Sequence, residues 1–174
     1  DSYSTDPQWH VPHFEKMLYD QALVVDVYLD AYALTRHADY ARVARAILDF
    51  VASDLRSPDG AFYSALDADS EGYEGKYYVW TLDEVRQVLG ERDATLFAAA
   101  YDVTESGNWQ DRTGHAPAGP QNILRMRHPL AEVADRHGLP EDELVVVLER
   151  SRLTLLAARR KRPPPHLDLS LIHI

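Results

Sequence analysis

From Phe14 the apolar positions Phe14, Met17, Leu18, Ala22, Val25, Leu29 and Tyr32 recur at helical spacing, and Pro12 suits a first helical position. This predicts a helix over about 12–36. Val24 and Val27 lie off that stripe and are apolar too, which implies burial on more than one side, as in a helix inside a larger assembly. After a break at His37-Ala38-Asp39, the series Tyr40, Val43, Ala44, Ile47, Leu48, Val51, Leu55 predicts a second helix over about 39–56. The short connection makes the two an antiparallel hairpin. Ser57-Pro58-Asp59-Gly60 is a turn.

The pattern then changes. Ala61–Leu66 and Lys76–Trp80 are short and rich in aromatics, and read as two strands around an Asp/Glu/Gly-rich turn. Thr81-Leu82-Asp83-Glu84 has the capping-box spacing and starts a helix that Gly90 stops. An alanine-rich helix follows at about 92–101. Residues 103–121 hold Gly107 and four further glycines or prolines and little apolar content, a long loop of the kind that tends to be functional or disordered. Pro129 and Gly138 bracket another helix, and Pro140 opens the last, Leu144 to Arg160. The fold class expected is mainly α: antiparallel helical hairpins with a small inserted β-hairpin.

Composition narrows the classes. The chain has 174 residues, 45% hydrophobic, with 18 basic and 28 acidic residues and a formal charge of −10. That suffices for one domain with a real core. It argues against a nucleic-acid partner, which needs clustered Lys/Arg. The basic run Arg159-Arg160-Lys161-Arg162 reads as favourable charge at a helix C-terminus. With no cysteine there is no disulfide, thiol catalysis or thiolate metal site. No apolar run approaches the ~20 residues of a membrane span, and no membrane partner is expected. The expected location is the cytoplasm. The first residue is Asp, so the natural start is expected upstream.

The chemistry concentrates in three clusters. Trp9-His10-Val11-Pro12-His13-Phe14-Glu15-Lys16 puts imidazoles and a carboxylate at an expected helix start, where His13 with Glu15 is a candidate general base or hydroxyl-positioning pair. Local capping and pairing is the plainer reading. His10-x-x-His13 lacks a third ligand, so no metal is expected. Asp67, Asp69, Glu71 and Glu74 crowd one turn among Tyr73, Tyr77, Tyr78 and Trp80. The stretch from Asp67 opens like a calcium loop, but Glu71 stands at its fifth position and Tyr78 at its twelfth, where a bidentate Glu belongs. Asp67, Asp69 and Glu71 are instead candidate acid/base or hydroxyl-binding groups, or solvated turn residues. Trp9, Tyr73, Glu74 and Trp80, with Asn108 and Trp109 of Glu105-Ser106-Gly107-Asn108-Trp109, are candidate ligand-binding residues. Carboxylates among aromatic faces suit a carbohydrate-like small molecule. No cofactor is expected.

The stretches 3–23, 60–80, 105–109 and 158–168 together resemble a family of large thioredoxin-domain-containing proteins, that of the spermatogenesis-associated thioredoxin-like protein and its bacterial relatives. The resemblance covers residues 3–168. It implies that an upstream thioredoxin-like domain is absent here. Residues 1–168 would be the first hairpins of an (α/α)6 toroid similar to six-hairpin glycosidases and N-acylglucosamine 2-epimerases. Ligand cavities of such toroids lie at one end, among inter-helix loops, where His13–Glu15, Asp67–Glu74 and Glu105–Trp109 would fall. The resemblance transfers no catalytic role residue by residue. An alternative is a non-catalytic module that positions the thioredoxin-like domain on a protein partner. Residues 169–174, Leu-Ser-Leu-Ile-His-Ile, match one frame of a transposon-end adapter used in sequencing libraries. They are expected to be read-through replacing a longer natural chain.

Overall fold

A computed structural model describes residues 3–110 and 114–172. The chain divides into two compact units, one running up to Asp69 and resuming at Pro165, the other Ser70–Pro164. Residues 111–113 of the long loop, and 173–174 of the terminal stretch, lie outside the described residues.

The first unit begins with an ordered turn rather than a helix. Asp6 organises it. Its carboxylate accepts hydrogen bonds from the Gln8, His10 and Val11 amides at 3.0, 2.9 and 2.6 Å and from the Ser4 hydroxyl at 3.0 Å. Those four bonds close the turn, and Ser4 bridges Pro12 across it. Lys16–Met17 forms β1, and helix α1 runs only from Leu18 to Thr35. The helix predicted from residue 12 therefore starts at Leu18, because sheet pairing claims the backbone of Lys16 and Met17. The hydrophobic spacing of Phe14 serves burial of an extended segment instead.

Arg36, in the left-handed region at φ 58°, ends α1 by donating its amide to the Tyr32 carbonyl. Helix α2, Ala38–Phe50, packs against α1 as expected and continues into a π-helical turn, Val51–Leu55, that seats Leu55 in the core. Strand β2, Phe62–Leu66, lies between β1 and the C-terminal strand β5, Leu167–Ile172, antiparallel to both. β5 runs into the stretch from Leu169 set apart above. Backbone pairing uses groups that every residue carries and does not discriminate among side chains there. On α1, Leu18 and Val25 are buried, whereas Leu23, Val24, Val27, Leu29 and Leu34 are exposed. This chain covers only part of the apolar surface that the helix offers.

A two-stranded sheet follows, β3 (Asp69–Ser70) and β4 (Tyr73–Glu74), and the second unit begins at Ser70. Glu71 and Gly72, its two connecting residues, both take positive φ, 54° and 83°, the signature of hairpin turns whose twist matches the strands. The strand expected at Lys76–Trp80 does not form. Gly75, at φ 72°, starts a helical turn in which the Tyr78 and Val79 amides both donate to its carbonyl. Aromatic β-propensity yields here to turn chemistry.

Four helices complete this unit: α3 (Leu82–Leu89), α4 (Glu91–Tyr101), α5 (Leu130–His137) and α6 (Glu141–Arg159). The capping box is present. Thr81 Oγ1 accepts from the Glu84 amide at 3.2 Å, and the Glu84 carboxylate accepts from the Thr81 amide at 2.8 Å. Each helix turns one apolar face inward, and Trp80, Val85, Phe97, Val133, Leu144, Val147, Leu148 and Leu155 share one core. At 25 cal/mol per Å², burying each of these large side chains contributes about 1.5–3 kcal/mol. The described residues thus hold six α-helices and small antiparallel sheets, a mainly α protein. None of the helices is long and apolar enough to cross a membrane.

Candidate functional site

The second unit contains a cavity of about 410 Å³. Glu71 and Tyr73 of the β3–β4 hairpin line it, with Lys76 and Tyr77 of the following turn, and Glu84 and Arg162. Lys76 Nζ lies 3.0 Å from the Glu71 carboxylate and 5.5 Å from the Tyr73 ring centre, so hairpin and turn are bridged by one ammonium. Both charges keep a third or more of their surface in water. Such a pair contributes about 0–1 kcal/mol and is readily exchanged for a ligand's hydroxyls.

A second pair closes the base. The guanidinium of Arg162 lies 3.9 Å over the Trp80 ring and donates to the carbonyls of Val79 and Tyr77 at 2.8 and 3.2 Å. It also reaches the Glu84 carboxylate at 3.2 Å. Burial pushes the Arg162 pKa down, against the pull of Glu84, and neighbouring Arg159 lowers it further. Arg162 lies beyond the end of α6 and caps the Gly75–Val79 turn, a tertiary role beyond the helix-end charge expected for the basic run. Sequence spacing carried no signal for this, since its partners lie 78–85 residues away.

The sequence-derived candidates separate. Glu71 and Tyr73 share the cavity. Trp80 is buried beneath Arg162, and Glu74 contributes its amide to the His115 carbonyl. Asp67 and Asp69 are exposed, with Asp67 accepting from the Asp69 amide at 3.2 Å as in an Asx turn.

In the first unit, His13 and Glu15 lie 3.5 Å apart, and Tyr3 stacks on His13 at 4.8 Å. They sit on the extended segment before β1. The helix-start setting expected for them is corrected, because α1 begins five residues after His13. Trp9 is 82% exposed. No group of three or more His, Asp or Glu among the described residues could hold a metal ion.

The loop candidates serve the loop itself. The Asn108 amide donates to the carbonyls of Asp102 and Ile123 at 2.7 and 2.9 Å and accepts from the Ile123 amide at 2.9 Å. Trp109 is buried and pairs with Gln121. Asn122, which no local sequence pattern singles out, is fully buried. It donates to the carbonyls of Trp80 and Thr104, both at 3.1 Å, and accepts from the Thr104 amide at 2.9 Å. It fastens the long loop to the residue under the cavity.

Fold and cavity together define a mainly α-helical protein segment with a polar, aromatic-lined pocket beside a small β-hairpin. The relatives are more particular. Over 98% of its length the chain is 42% identical to spermatogenesis-associated protein 20 of Homo sapiens and 40% identical to that of Mus musculus. It is 34% identical to an uncharacterized protein of Caenorhabditis elegans, again over 98% of its length. These similarities support the family of spermatogenesis-associated protein 20 for this chain. The chain spans only 24% of the length of the human and mouse relatives. No family model matches it.

Proposed function

We propose that the cavity around Glu71, Tyr73 and Lys76 binds a neutral, carbohydrate-like molecule. One observation carries this reading: a space of about 410 Å³ where an acceptor, a cationic donor and two tyrosines converge. Each of its two ion pairs, Lys76 with Glu71 and Arg162 with Glu84, is neutral in itself, which favours a polyhydroxylated ligand over an ion. The volume falls within the usual range for small-molecule sites. Acid/base work by Glu71 belongs to the same proposal, as does the placement of this segment in an (α/α) toroid downstream of a thioredoxin-like domain. Titrating the full-length protein with a panel of neutral mono- and disaccharides tests it. Saturable binding weakened about tenfold or more by Glu71→Gln and by Tyr73→Ala supports the reading. Binding by no sugar, or binding indifferent to both changes, refutes it.

A second reading rests on α1. Its exposed Leu23, Val27, Leu29 and Leu34 favour a protein-contact role, in which the segment positions another domain or partner. Pull-down with the full-length protein, before and after Val27→Glu with Leu34→Glu, separates the two.

A further inference from the structure

A second, smaller space in the Ser70–Pro164 unit is separate from the Glu71 cavity. It measures about 140 Å³ and is lined by Trp80, Phe97, Leu124, Leu155 and Leu156, with Arg159 on its wall. Apolar walls around a cation are costly unless an anion completes the pairing. Among the described residues no carboxylate reaches Arg159. Its guanidinium instead rests against two rings, 5.3 Å from the centre of Tyr77 and 5.5 Å from that of Tyr78. Its Nε is buried and has no acceptor.

The neighbouring groups do not fill that need. Arg152, also on the wall, is held by Glu149 through bonds of 2.7 and 3.0 Å, which raise its pKa. Arg162 is held by Glu84. The carbonyls of Leu156, Ala158 and Arg159 at the end of α6 accept from the amides of Arg160, Lys161 and Arg162. Arg159 thus sets a planar cation with an unfilled Nε–H on the wall of a largely apolar pocket.

The geometry points to a binding site for a short-chain monocarboxylate, its carboxylate on the Arg159 guanidinium and its alkyl tail among Phe97, Leu124, Leu155 and Leu156. Guanidinium and carboxylate match as a planar, two-bond pair. A space of this size admits only a few carbon atoms, so chain length sets selectivity.

The test uses the full-length protein titrated with sodium butyrate and, separately, n-butanol, a neutral analogue of similar length. Butyrate is expected to bind saturably and butanol not. Arg159→Gln is expected to weaken butyrate binding at least tenfold, and Leu156→Trp, which fills the space but leaves the cation, to abolish it. The proton and nitrogen resonances of the Arg159 Nε–H group should shift on adding butyrate to the unaltered protein, a readout that needs no variant to fold. Absence of saturable butyrate binding, equal binding of butanol, or an unmoved Arg159 resonance overturns the proposal. None of these outcomes bears on the sugar panel, which probes the other cavity.

Discussion

Arg162 lies 3.9 Å over the face of Trp80 while its Nη1 donates to the Val79 carbonyl at 2.8 Å, so one side chain holds both the ring and the backbone that leads into it. Converging carbonyls form a partial negative pole, and a delocalised planar cation satisfies several at once. Arg162→Ala should destabilise the protein by about 2–4 kcal/mol, summing charge-assisted hydrogen bonds and the cation–π contact. Arg162→Lys should recover less than half, since a point charge cannot stack and fork together. Denaturant titration reads both; full recovery by Lys would refute the planar role.

Asn122 has no exposed surface and uses donor and acceptor together. Asn122→Ala takes the acceptor from the Thr104 amide and the side-chain donor from the Trp80 and Thr104 carbonyls, which keep the Asn122 and Gly107 amides, and costs about 1–3 kcal/mol. Asn122→Asp should be at least as damaging, because a carboxylate facing the Trp80 and Thr104 carbonyls cannot donate. Hydrogen exchange should show faster opening of residues 104–123 in either variant, ahead of α4 and α6.

Gly107 sits at φ 78°, and a Cβ there would lie 2.7 Å from the Gln121 carbonyl oxygen and from the Pro120 carbonyl carbon. Both are backbone atoms that cannot swing aside. Gly107→Ala should therefore cost more than the ~1 kcal/mol of an ordinary left-handed alanine and displace the Asn108–Ile123 clasp. Thermal denaturation checks it; a change below about 0.5 kcal/mol would count against the close packing assigned to this loop.

Asp6 is held below the ordinary carboxylate range chiefly by the Val11 amide, with the Ser4 hydroxyl and the His10 and Gln8 amides adding to it and burial opposing. A lowered folded-state pKa means that the contribution is fully present above the unfolded value, about 3.9, and is lost as pH falls through the folded one. The turn at Ser4–Pro12 should loosen below about pH 3.9 and stay ordered above it. In Asp6→Asn that acid transition should vanish. Amide resonances of His10 and Val11 followed through an acid titration report it.

Much of the second unit was legible because its signals are local. Thr81 with Glu84, Gly90, Gly138 and Pro140 punctuate helices within a few residues of where those helices begin or end. The first unit shows where local signals fail. Phe14 and Met17 fit a helical stripe, but the pairing of Lys16 with Leu66 and of Met17 with Ala65 holds that segment extended. Lys76–Trp80 has strand-like residues, yet Gly75 and Arg162 make it a turn. For the candidate site, Glu71 and Tyr73 could be nominated by composition. Their neighbours Arg162 and Gln121 could not, because long-range packing brings them there. Asn108 looked like a ligand group for want of any sequence clue that its partners lie at Ile123 and Asp102.

Strand β2 takes one neighbour from Lys16–Met17 and the other from beyond Pro165, with Leu66 opposite both Lys16 and Leu167. The Ser70–Pro164 unit, by contrast, is one uninterrupted stretch of chain. A ribosome therefore releases everything the second unit needs before the first can finish its sheet. During synthesis β2 spends the time taken to translate roughly a hundred residues, on the order of 5–20 s at typical rates, with one edge unpaired. That open edge is a natural point for chaperone engagement or strand mispairing, and the interval closes only when Leu167 and Asp168 emerge.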